Sequence, residues 1–475
     1  MVAPRPLKRR DVLRTSASAA ETSSSFAPPR EMARQARTKE HRLRLEVLHE
    51  AVHSGCLDRD QRPSAYFFDL DAIELNARNL KLSSFPHTAL HTFAVKANPL
   101  IEILKLVRKT GLGAEAASLG ELEIALEAGF PPQAIVYDSP TKTRYEIRRA
   151  LDVGVLLNAD NLAEVEVIAR ELEDRPTCSP VGLRVNPQSG GGTISALATA
   201  SARSKFGVAV GPNRKAIYRC FSRHRSFLSR IHVHTGSQGV GIAELAESAA
   251  SVVRLAREVN DAVGCAVVRS VDVGGGLSVD YSSDSPRAHF DEYASRLQQA
   301  LGSDLGDLEF DLVTEFGRSL ICKSGFAASY VEYAKTAGEP GARIVAQHLG
   351  ADTLLRTCYL PDDFPLRVFC ASSSGESLET GREEDCVETD IAGPLCFAGD
   401  LVARGRMLPA SLDPGSIVIV PDVGAYTTSM FSRYNSRPFP ACYGFRGSAV
   451  GGVELEVLRR EEDPRDLVRF WSKEP

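Results

Sequence analysis

From about Ala65 onward, short apolar runs alternate with stretches in which apolar residues recur at helical spacing. The runs AYFFDL, TFAVKA, VGLRVN, IHVHTGS and DLVTEFG are typical of buried strands, whereas LIEILKLVRKTG and IAELAESAASVVRLAREVND have the spacing of amphipathic helices. Strands that alternate with helices in this way predict an α/β fold, a parallel (β/α)8 barrel of the TIM type over residues 65–335. An open doubly wound sheet is the alternative.

The pattern changes after about Ala334. The runs ARIVAQHL, LRVFCAS, SIVIVPDV and VELEVLRRE are short, are separated by turn residues and are accompanied by few helical stretches. This pattern predicts a second, β-rich domain (a β-barrel or sandwich) over residues 336–475. The polar and acidic stretch SSSGESLETGREED, residues 372–385, is typical of a solvated loop.

Residues 1–44 differ from the rest of the chain because they are rich in Arg, Ser and Ala and poor in acids. They lack the apolar segment of a secretory signal, so we do not expect secretion. Two interpretations remain open, a transit peptide for a plastid or mitochondrion and a disordered basic tail. The first predicts an organellar protein and the second is compatible with the cytoplasm.

Composition argues against three classes of protein: nucleic-acid binders, membrane-spanning proteins and zinc proteins. A net charge of −5 over 475 residues argues against a nucleic-acid partner, and no apolar run is long enough to cross a bilayer. The ten cysteines are scattered and have no zinc-type spacing. They indicate a reducing compartment, and the sequence predicts no metal site.

Polar residues follow the predicted strands at the end where barrel enzymes build their active sites. These residues are Lys96, His234, Ser237, Gly274, Gly275, Gly276, Glu315 and Arg318. The glycine triplet allows backbone N–H groups to approach a phosphate closely, and an arginine fork suits the same anion.

A lysine, a phosphate cradle and an acid at one barrel mouth suggest pyridoxal 5′-phosphate. Lys96 would hold the aldehyde as a Schiff base, Glu315 would pair with the pyridine nitrogen, and His234 could stack on the ring. Taken alone, Lys96 could instead be a side chain that reaches water from a strand end, and His234 a hydrogen-bonded core residue. The combination favours the cofactor site.

The order of several motifs resembles that of the alanine-racemase-like, fold type III decarboxylases, which include ornithine and diaminopimelate decarboxylases. These motifs are FAVKAN, HVHTGSQ, DVGGGLSVDY, EFGRSL, GPLCFAGD and GAYTTSMFSRYNSRP. The resemblance extends from about Ala65 to Phe445. It implies a cofactor-binding barrel and a β-domain, and it implies that the segment 45–64 joins the β-domain.

The same resemblance implies a role for each site residue. Pyridoxal phosphate would be attached to Lys96, and Ser237, Gly276, Arg318 and Tyr426 would surround its phosphate. Cys396 resembles the cysteine that crosses from a partner subunit and protonates the substrate carbon after carbon dioxide leaves. The resemblance therefore implies a homodimer with a shared active site.

The substrate features are closer to diaminopimelate decarboxylases than to ornithine decarboxylases. The segment LLRTCY resembles the part that reads a distal carboxylate, which makes Arg356 and Tyr359 candidates. The resemblance places Phe397 where relatives carry an acid for the distal amine of the substrate, and Asp400, nearby in sequence, is the candidate to take that role. The best single prediction is decarboxylation of meso-2,6-diaminopimelate to L-lysine, a reaction of lysine biosynthesis.

Three alternatives remain. A related decarboxylase could act on ornithine, arginine or another carboxylate-bearing amino acid. An alanine racemase is disfavoured, because the lysine motif continues as Pro-Leu and a glutamate, Glu315, stands at the pyridine nitrogen. A catalytically silent regulatory homologue is disfavoured because Lys96, Glu315, Arg318 and Cys396 are all present.

Overall fold

The computed structural model describes residues 31, 34–35, 38–173, 179–190, 192–285, 289–338, 341–448 and 451–473. Most of the basic tail or transit peptide predicted for residues 1–44 lies outside these residues. In the described part of the chain, no helix has both the length and the apolar character that a membrane span requires.

The strands and helices follow one another along the whole described chain. The strands are β1 (Ser64–Asp69), β2 (Leu90–Ala94), β3 (Gly113–Ala116), β4 (Ile135–Tyr137), β5 (Leu156–Ala159), β6 (Val181–Asn186), β7 (Val208–Ala209), β8 (Leu228–His232), β9 (Ser270–Asp272), β10 (Asp311–Phe316), β11 (Gly325–Thr336), β12 (Ala342–Gln347), β13 (Phe369–Ala371), β14 (Cys386–Ala392), β15 (Leu401–Pro409), β16 (Ile417–Pro421), β17 (Ala441–Gly447) and β18 (Val453–Arg459). The helices are α1 (Lys39–His53), α2 (Leu70–Lys81), α3 (Ile101–Lys109), α4 (Leu119–Glu127), α5 (Arg144–Val153), α6 (Leu162–Leu172), α7 (Val210–Arg223), α8 (Ile242–Val263), α9 (Phe290–Leu301), α10 (Arg318–Ile321), α11 (Leu355–Tyr359) and α12 (Pro464–Trp471).

Eight parallel strands form a closed barrel, in the order β5, β4, β3, β2, β10, β9, β8 and β6. Pairing of β5 with β6 closes the ring, and the two-residue strand β7 pairs with the last two residues of β6. Strands such as β3, β4 and β6 are buried along their whole length because side chains fill the barrel on one face and helices cover the other. The predicted (β/α)8 barrel is confirmed.

The helices around the barrel begin and end where the sequence supplies caps. Helix α5, for example, begins with a capping box, in which Thr143 and Glu146 each accept a hydrogen bond from the other's backbone N–H. It ends at Gly154, whose φ of 84° is left-handed and therefore suits glycine. Short, capped helices return the chain to the same end of the barrel, and the strand termini therefore collect there.

The second domain is a mostly antiparallel sheet in the order β15, β14, β12, β11, β1, β17 and β18, and β16 joins β11 to β13. Helix α1 packs Val47, Leu48 and Ala51 into a core that also contains Phe67 and Phe369. The β-rich second domain of the predicted fold class is therefore present, and a helix from the amino-terminal segment packs against it.

Three predicted domain limits need correction. Helix α1 begins at Lys39, within the predicted tail of residues 1–44. The predicted barrel limits of 65 and 335 include β1 and most of β11, and both strands pair in the second sheet. An apolar run has the same pattern in a barrel strand and in a sheet strand, since its pairing partners are distant along the chain. Here β1 pairs with residues 441–445 and 325–329.

Candidate active site

The carboxyl ends of the barrel strands converge on one cavity. It is lined by Ala94, Lys96, His234, Ser237, Gly276, Leu277, Glu315, Gly317, Arg318, Ser319 and Tyr426. Lys96 reaches it because β2 ends at Ala94 and continues as a single 3-10 turn, residues 95–97. Seven of the residues predicted from the sequence are thus brought together, six from the barrel and Tyr426 from the second domain.

Lys96 forms an ion pair with a carboxylate inside the cavity wall. Its ammonium donates to Glu115, a side chain with no solvent exposure. Burial by itself would lower the pKa of Lys96, but the negative charges of Glu115 and Asp138 outweigh burial, and the pKa is raised above its ordinary value. Burial also raises the pKa of Glu115. The amine is therefore held as an ammonium beside a partner that can accept its proton.

Sequence reasoning missed the charged residues in the wall behind Lys96. Asp138 accepts from Arg184 at 3.3 Å, and its carboxylate lies 3.7 Å from Nε2 of His232. These residues and Glu115 stand in or directly after otherwise apolar strands. A search for polar residues in or after apolar runs, which located Lys96, could therefore have found them. Asp138 stays ionised: burial opposes ionisation, but Lys96, Arg184 and His232 lower the pKa of the carboxyl.

Glu315 has an unusual environment for a carboxyl group. It lies at the end of β10, it is buried, and neither carboxylate oxygen has a hydrogen-bond partner among the described residues. Burial and the charge of Asp138 raise its pKa to about 7. Oε2 lies 3.4 Å from Nε2 of His232, outside hydrogen-bond geometry. A buried acid at a cavity wall whose oxygens accept no hydrogen bond from the described residues is suited to a heterocyclic nitrogen of a bound ligand.

The wall also groups three side chains of the types that ligate metal ions. Ligand atoms of Asp138, His232 and Glu315 lie within 4.8 Å of one another. The guanidinium of Arg184 and the ammonium of Lys96 already supply positive charge to Asp138. This arrangement favours the role of an ion-pair network over that of a metal centre.

The opposite side of the cavity is suited to a phosphate. The Arg318 guanidinium lies 3.3 Å from Ser237 Oγ, and its Nε has no hydrogen-bond partner among the described residues. Gly276 has a φ of 109°, and a Cβ there would lie 2.5 Å from the carbonyl oxygen of Gly236. Only glycine fits this turn, and its backbone lines the cavity beside Arg318.

His234 lies between these two sides. Burial, and then the charge of Lys96, lower its pKa well below the ordinary value, so the imidazole is neutral. Its Nδ1 accepts a hydrogen bond from the N–H of Gly275 at 3.2 Å, which orients the ring. Gly274 donates in turn to Asp272 at 3.0 Å. The glycine triplet thus positions a neutral aromatic ring at the cavity wall.

Tyr426 ties the second domain to the barrel at this site. Its backbone has a left-handed φ of 57°, and its N–H donates to the carbonyl of Ala97 at 2.8 Å. The ring then lies over Arg318, with 4.5 Å between the guanidinium carbon and the ring centre. A strained backbone is tolerated where surrounding contacts hold it, and this one places Tyr426 beside the anion site.

A second cavity adjoins the first and shares Arg318 and Tyr426 with it. Arg356 lines this second cavity, and its buried Nη1 has no hydrogen-bond partner in the described part of the chain. Its guanidinium carbon lies 5.1 Å from the ring centre of Phe364. An arginine with an unused donor in an aromatic pocket is suited to a carboxylate.

The other predicted substrate residues lie outside both cavities. Cys396 and Phe397 are exposed, and the Phe397 ring stacks on that of Tyr359 with centres 5.0 Å apart. Tyr434 donates from its hydroxyl to the Cys396 carbonyl at 3.0 Å. These residues therefore lie on the surface of the second domain. They do not belong to the lining of the cavity that contains Lys96 of the same chain.

Asp400, predicted as a partner for a substrate amine, lies outside both cavities and is engaged by backbone groups of the second domain. The side chain is buried, and its carboxylate accepts from the N–H groups of Ala351 and Leu395 at 2.5 and 2.7 Å. A Cβ on Gly350 or Gly393 would collide with the carboxylate. Asp400 thus joins two loops of the second domain, a role that proximity in sequence to Cys396 could not reveal.

Comparisons with known proteins agree with this geometry. A family described as pyridoxal-dependent decarboxylase, pyridoxal binding domain, matches residues 70–322. The diaminopimelate decarboxylase of Helicobacter pylori is 30% identical over 409 residues, which cover 85% of this chain and 94% of that protein. That of Zymomonas mobilis is 30% identical over 387 residues, which cover 81% and 86%.

Solved structures give the same result. The crystal structure of the Helicobacter pylori diaminopimelate decarboxylase complexed with L-lysine has a TM-score of 0.74 at 28% identity, and the match covers 87% of this chain and 97% of that one. A lysine/ornithine decarboxylase of Vibrio vulnificus complexed with putrescine has a TM-score of 0.67 at 20% identity, covers 86% and 98%, and shares the fold.

Proposed function

This chain belongs to the pyridoxal-dependent decarboxylases, and from that premise we propose that it binds pyridoxal 5′-phosphate at Lys96 and decarboxylates meso-2,6-diaminopimelate to L-lysine. The observation that carries the proposal is the one cavity that holds Lys96, Glu315 and Arg318. Similarity to diaminopimelate decarboxylases over more than four fifths of the chain supports the substrate.

The residues present fit the cofactor. The Glu315 oxygens, which accept no hydrogen bond from the described residues, suit the ring nitrogen. The Arg318 Nε, which donates to none of the described residues, suits the phosphate together with Ser237 and Gly276. His234 would pack against the ring as a neutral imidazole. Pyridoxal phosphate supplies an electron sink for the pair of electrons released when carbon dioxide leaves the α-carbon.

Side chains of the protein accept and hold the protons that this reaction requires. Lys96 must lose a proton before its amine can attack an aldehyde, and Glu115 lies in contact to accept it. Asp138 remains ionised and keeps the network behind Lys96 negatively charged. Glu315 provides a carboxyl whose pKa near 7 allows it to share a proton with a ring nitrogen.

Arg356 is the proposed reader of the second carboxylate of the substrate. It lies in the cavity that adjoins the cofactor site, and its Nη1, which has no hydrogen-bond partner among the described residues, is the donor that such a carboxylate needs. Phe397 and Tyr359 offer aromatic surface in place of an acid for a distal amine. This difference supports a second candidate, a decarboxylase of another carboxylate-bearing amino acid.

We propose a homodimer with a shared active site. Cys396 and Phe397 are exposed on the second domain, outside the cavity of their own chain, which supports their entry into the site of a partner subunit. Mixing Lys96→Ala with Cys396→Ala protein should then restore up to about a quarter of wild-type activity, since one site in a mixed dimer would be intact. No recovery from mixed dimers that demonstrably form would contradict a shared site.

A panel assay tests the proposed reaction. Carbon dioxide release would be measured with meso-diaminopimelate, ornithine, lysine, arginine and acidic amino acids. We expect turnover with diaminopimelate in the wild type and none in Lys96→Ala, whereas Lys105→Ala, which changes an exposed lysine on α3, should behave as wild type. Activity only on another amino acid would overturn the substrate, and activity in Lys96→Ala would overturn the cofactor attachment.

A further inference from the structure

A set of buried ion pairs extends from the amino-terminal helix to the anion side of the cavity. It begins at Arg44 of α1, whose Nη2 lies 2.7 Å from Oδ1 of Asp284. Arg367 contacts the same oxygen at 2.7 Å and also reaches Asp422 at 2.9 Å. Lys323 completes the set with a contact of 3.0 Å to Asp422. We call these five residues the buried charge chain.

The members of the buried charge chain are almost free of solvent, since none of the five side chains is more than 9% exposed. Removing one partner of a buried ion pair leaves a desolvated charge, which costs much free energy. The buried charge chain therefore fixes the positions of its five side chains more strictly than surface ion pairs would. Thr38, the cap of α1, adds a hydrogen bond to Asp284 at 2.7 Å. Helix α1 is therefore attached firmly to Asp284.

Asp284 and Lys323 hold a turn that carries Tyr281. Lys323 donates to the carbonyls of Asp280 and Ser283, one on either side of Tyr281, and the second distance is 2.7 Å. Its ammonium also lies 5.9 Å from the ring centre of Tyr281. Tyr281 is thereby fixed in position by residues that do not line the cofactor cavity.

Tyr281 in turn holds Arg318. The Arg318 Nη1 donates to the Tyr281 hydroxyl at 2.6 Å, and its Nη2 remains directed toward Ser237 at 3.3 Å. Tyr281 thus fixes one end of the fork, while Nη2 lies beside Ser237 in the cavity lining and Nε has no hydrogen-bond partner in the described part of the chain. A preoriented fork binds an anion more tightly than a mobile one, because less side-chain entropy is lost.

We propose that Tyr281 is a positioning residue for the cofactor phosphate, and that the buried charge chain lets helix α1 contribute to phosphate affinity without contact with the ligand. This inference rests on the proposed function, because it takes the anion to be the phosphate of pyridoxal phosphate. It assigns Tyr281, Lys323, Asp284 and Arg44 a role in cofactor retention.

The test compares pyridoxal phosphate with pyridoxal, which has the same ring and aldehyde but no phosphate. Dissociation constants of both ligands would be measured by visible absorbance on cofactor-free full-length protein. The variants are Tyr281→Phe, which removes one hydroxyl, and Arg44→Met, which removes the charged group of the buried charge chain that lies farthest from the cavity. Arg59→Met is the matched control, since the Arg59 side chain is 45% exposed and its Nη2 lies 3.9 Å from Oε2 of Glu332, outside the buried charge chain.

We expect Tyr281→Phe to weaken pyridoxal phosphate binding about tenfold and Arg44→Met about threefold, with changes below about twofold for pyridoxal and for the control. A structural role alone would weaken both ligands equally, and that result, or an unchanged affinity for both, would overturn the inference. The wild type separates this failure from that of the proposed function: wild-type protein that binds neither ligand would refute the cofactor itself.

Discussion

The ammonium of Lys96 and the carboxylate of Glu115 form an ion pair within the barrel, and the Glu115 side chain has no exposure to solvent. This contact has two effects on Lys96, one that favours its reaction with an aldehyde and one that opposes it. It holds the amine in one position, and it raises the pKa of Lys96 although burial alone would lower it. Reaction with an aldehyde requires the neutral amine, so Glu115 both orients the nucleophile and sets the pH at which it becomes available.

Glu115→Gln should therefore lower the pKa of Lys96. The rate at which cofactor-free protein gains visible absorbance with pyridoxal phosphate rises with pH as Lys96 loses its proton. The midpoint of that profile should move to lower pH by about one unit or more. Glu123→Gln, which changes an exposed acid paired with Arg149, is the control. An unmoved midpoint in Glu115→Gln would show that this ion pair does not govern the amine.

The buried environment of His41 should make the free energy of unfolding smaller in acid. Burial lowers its pKa from 6.5 to about 4, and neither ring nitrogen has a hydrogen-bond partner among the described residues. As pH falls from 6.5 to 4 the unfolded chain takes up the proton before the folded chain does. The free energy of unfolding should therefore decline across this window, and His41 should account for about 2 kcal/mol between pH 7 and pH 5.

His41→Leu removes the titrating group and retains an apolar contact with Phe369, whose ring centre lies 4.4 Å away. Urea unfolding at pH 7 and pH 5 should show a smaller difference between the two pH values in His41→Leu, by about 2 kcal/mol. His49→Leu, on the exposed face of the same helix, should retain the wild-type difference. Equal differences in all three proteins would contradict the prediction.

Asp400 should prove important for stability. Asp400→Asn replaces one of the two carboxylate oxygens that accept from Ala351 and Leu395, and an amide N–H would then face a backbone N–H. We expect the free energy of unfolding to fall by about 2 kcal/mol, measured in urea. Asp390→Asn, at an exposed contact with the N–H of Gly405, should cost less than about 0.5 kcal/mol. A smaller loss in Asp400→Asn than in the control would disprove the structural role.

Phe397 tests the distal end of the substrate. If diaminopimelate is the substrate, Phe397→Glu places a carboxylate where a phenyl ring offers only a cation–π contact to the distal ammonium. KM for diaminopimelate should then fall several-fold, by an amount that corresponds to about 1 kcal/mol. Phe397→Gln, whose side chain has the shape of glutamate without its charge, should not lower KM. A raised KM in Phe397→Glu would favour a substrate that lacks the second amine.

Much of the site could be predicted because strand order and strand ends are encoded locally. Lys96, His234, Glu315 and Arg318 each follow an apolar run, and a parallel barrel collects such positions at one mouth. The limits of the barrel could not be predicted in the same way. Strand β1 pairs in the second sheet with residues more than 250 positions away, and an apolar run does not specify its partner.

Asp400 and Glu115 illustrate the same division at the level of single residues. Asp400 follows Cys396 closely in sequence, yet its carboxylate is used by two backbone N–H groups inside the second domain. Glu115 stands in the run LGAEAAS with little to mark it, yet it contacts Lys96. Both roles depend on which groups lie within about 3 Å in space, since hydrogen bonds and ion pairs act only at short range.

The sequence by itself therefore determined the type of fold, the lysine and the residues suited to a cofactor, because periodicity and residue chemistry are properties of short segments. The tertiary structure alone decided which carboxylate sets the charge of Lys96, which acid is structural, and how helix α1 connects through Arg44 to Tyr281 and Arg318. Those relationships join segments that are far apart along the chain, and their energies arise only after folding has removed water from between them.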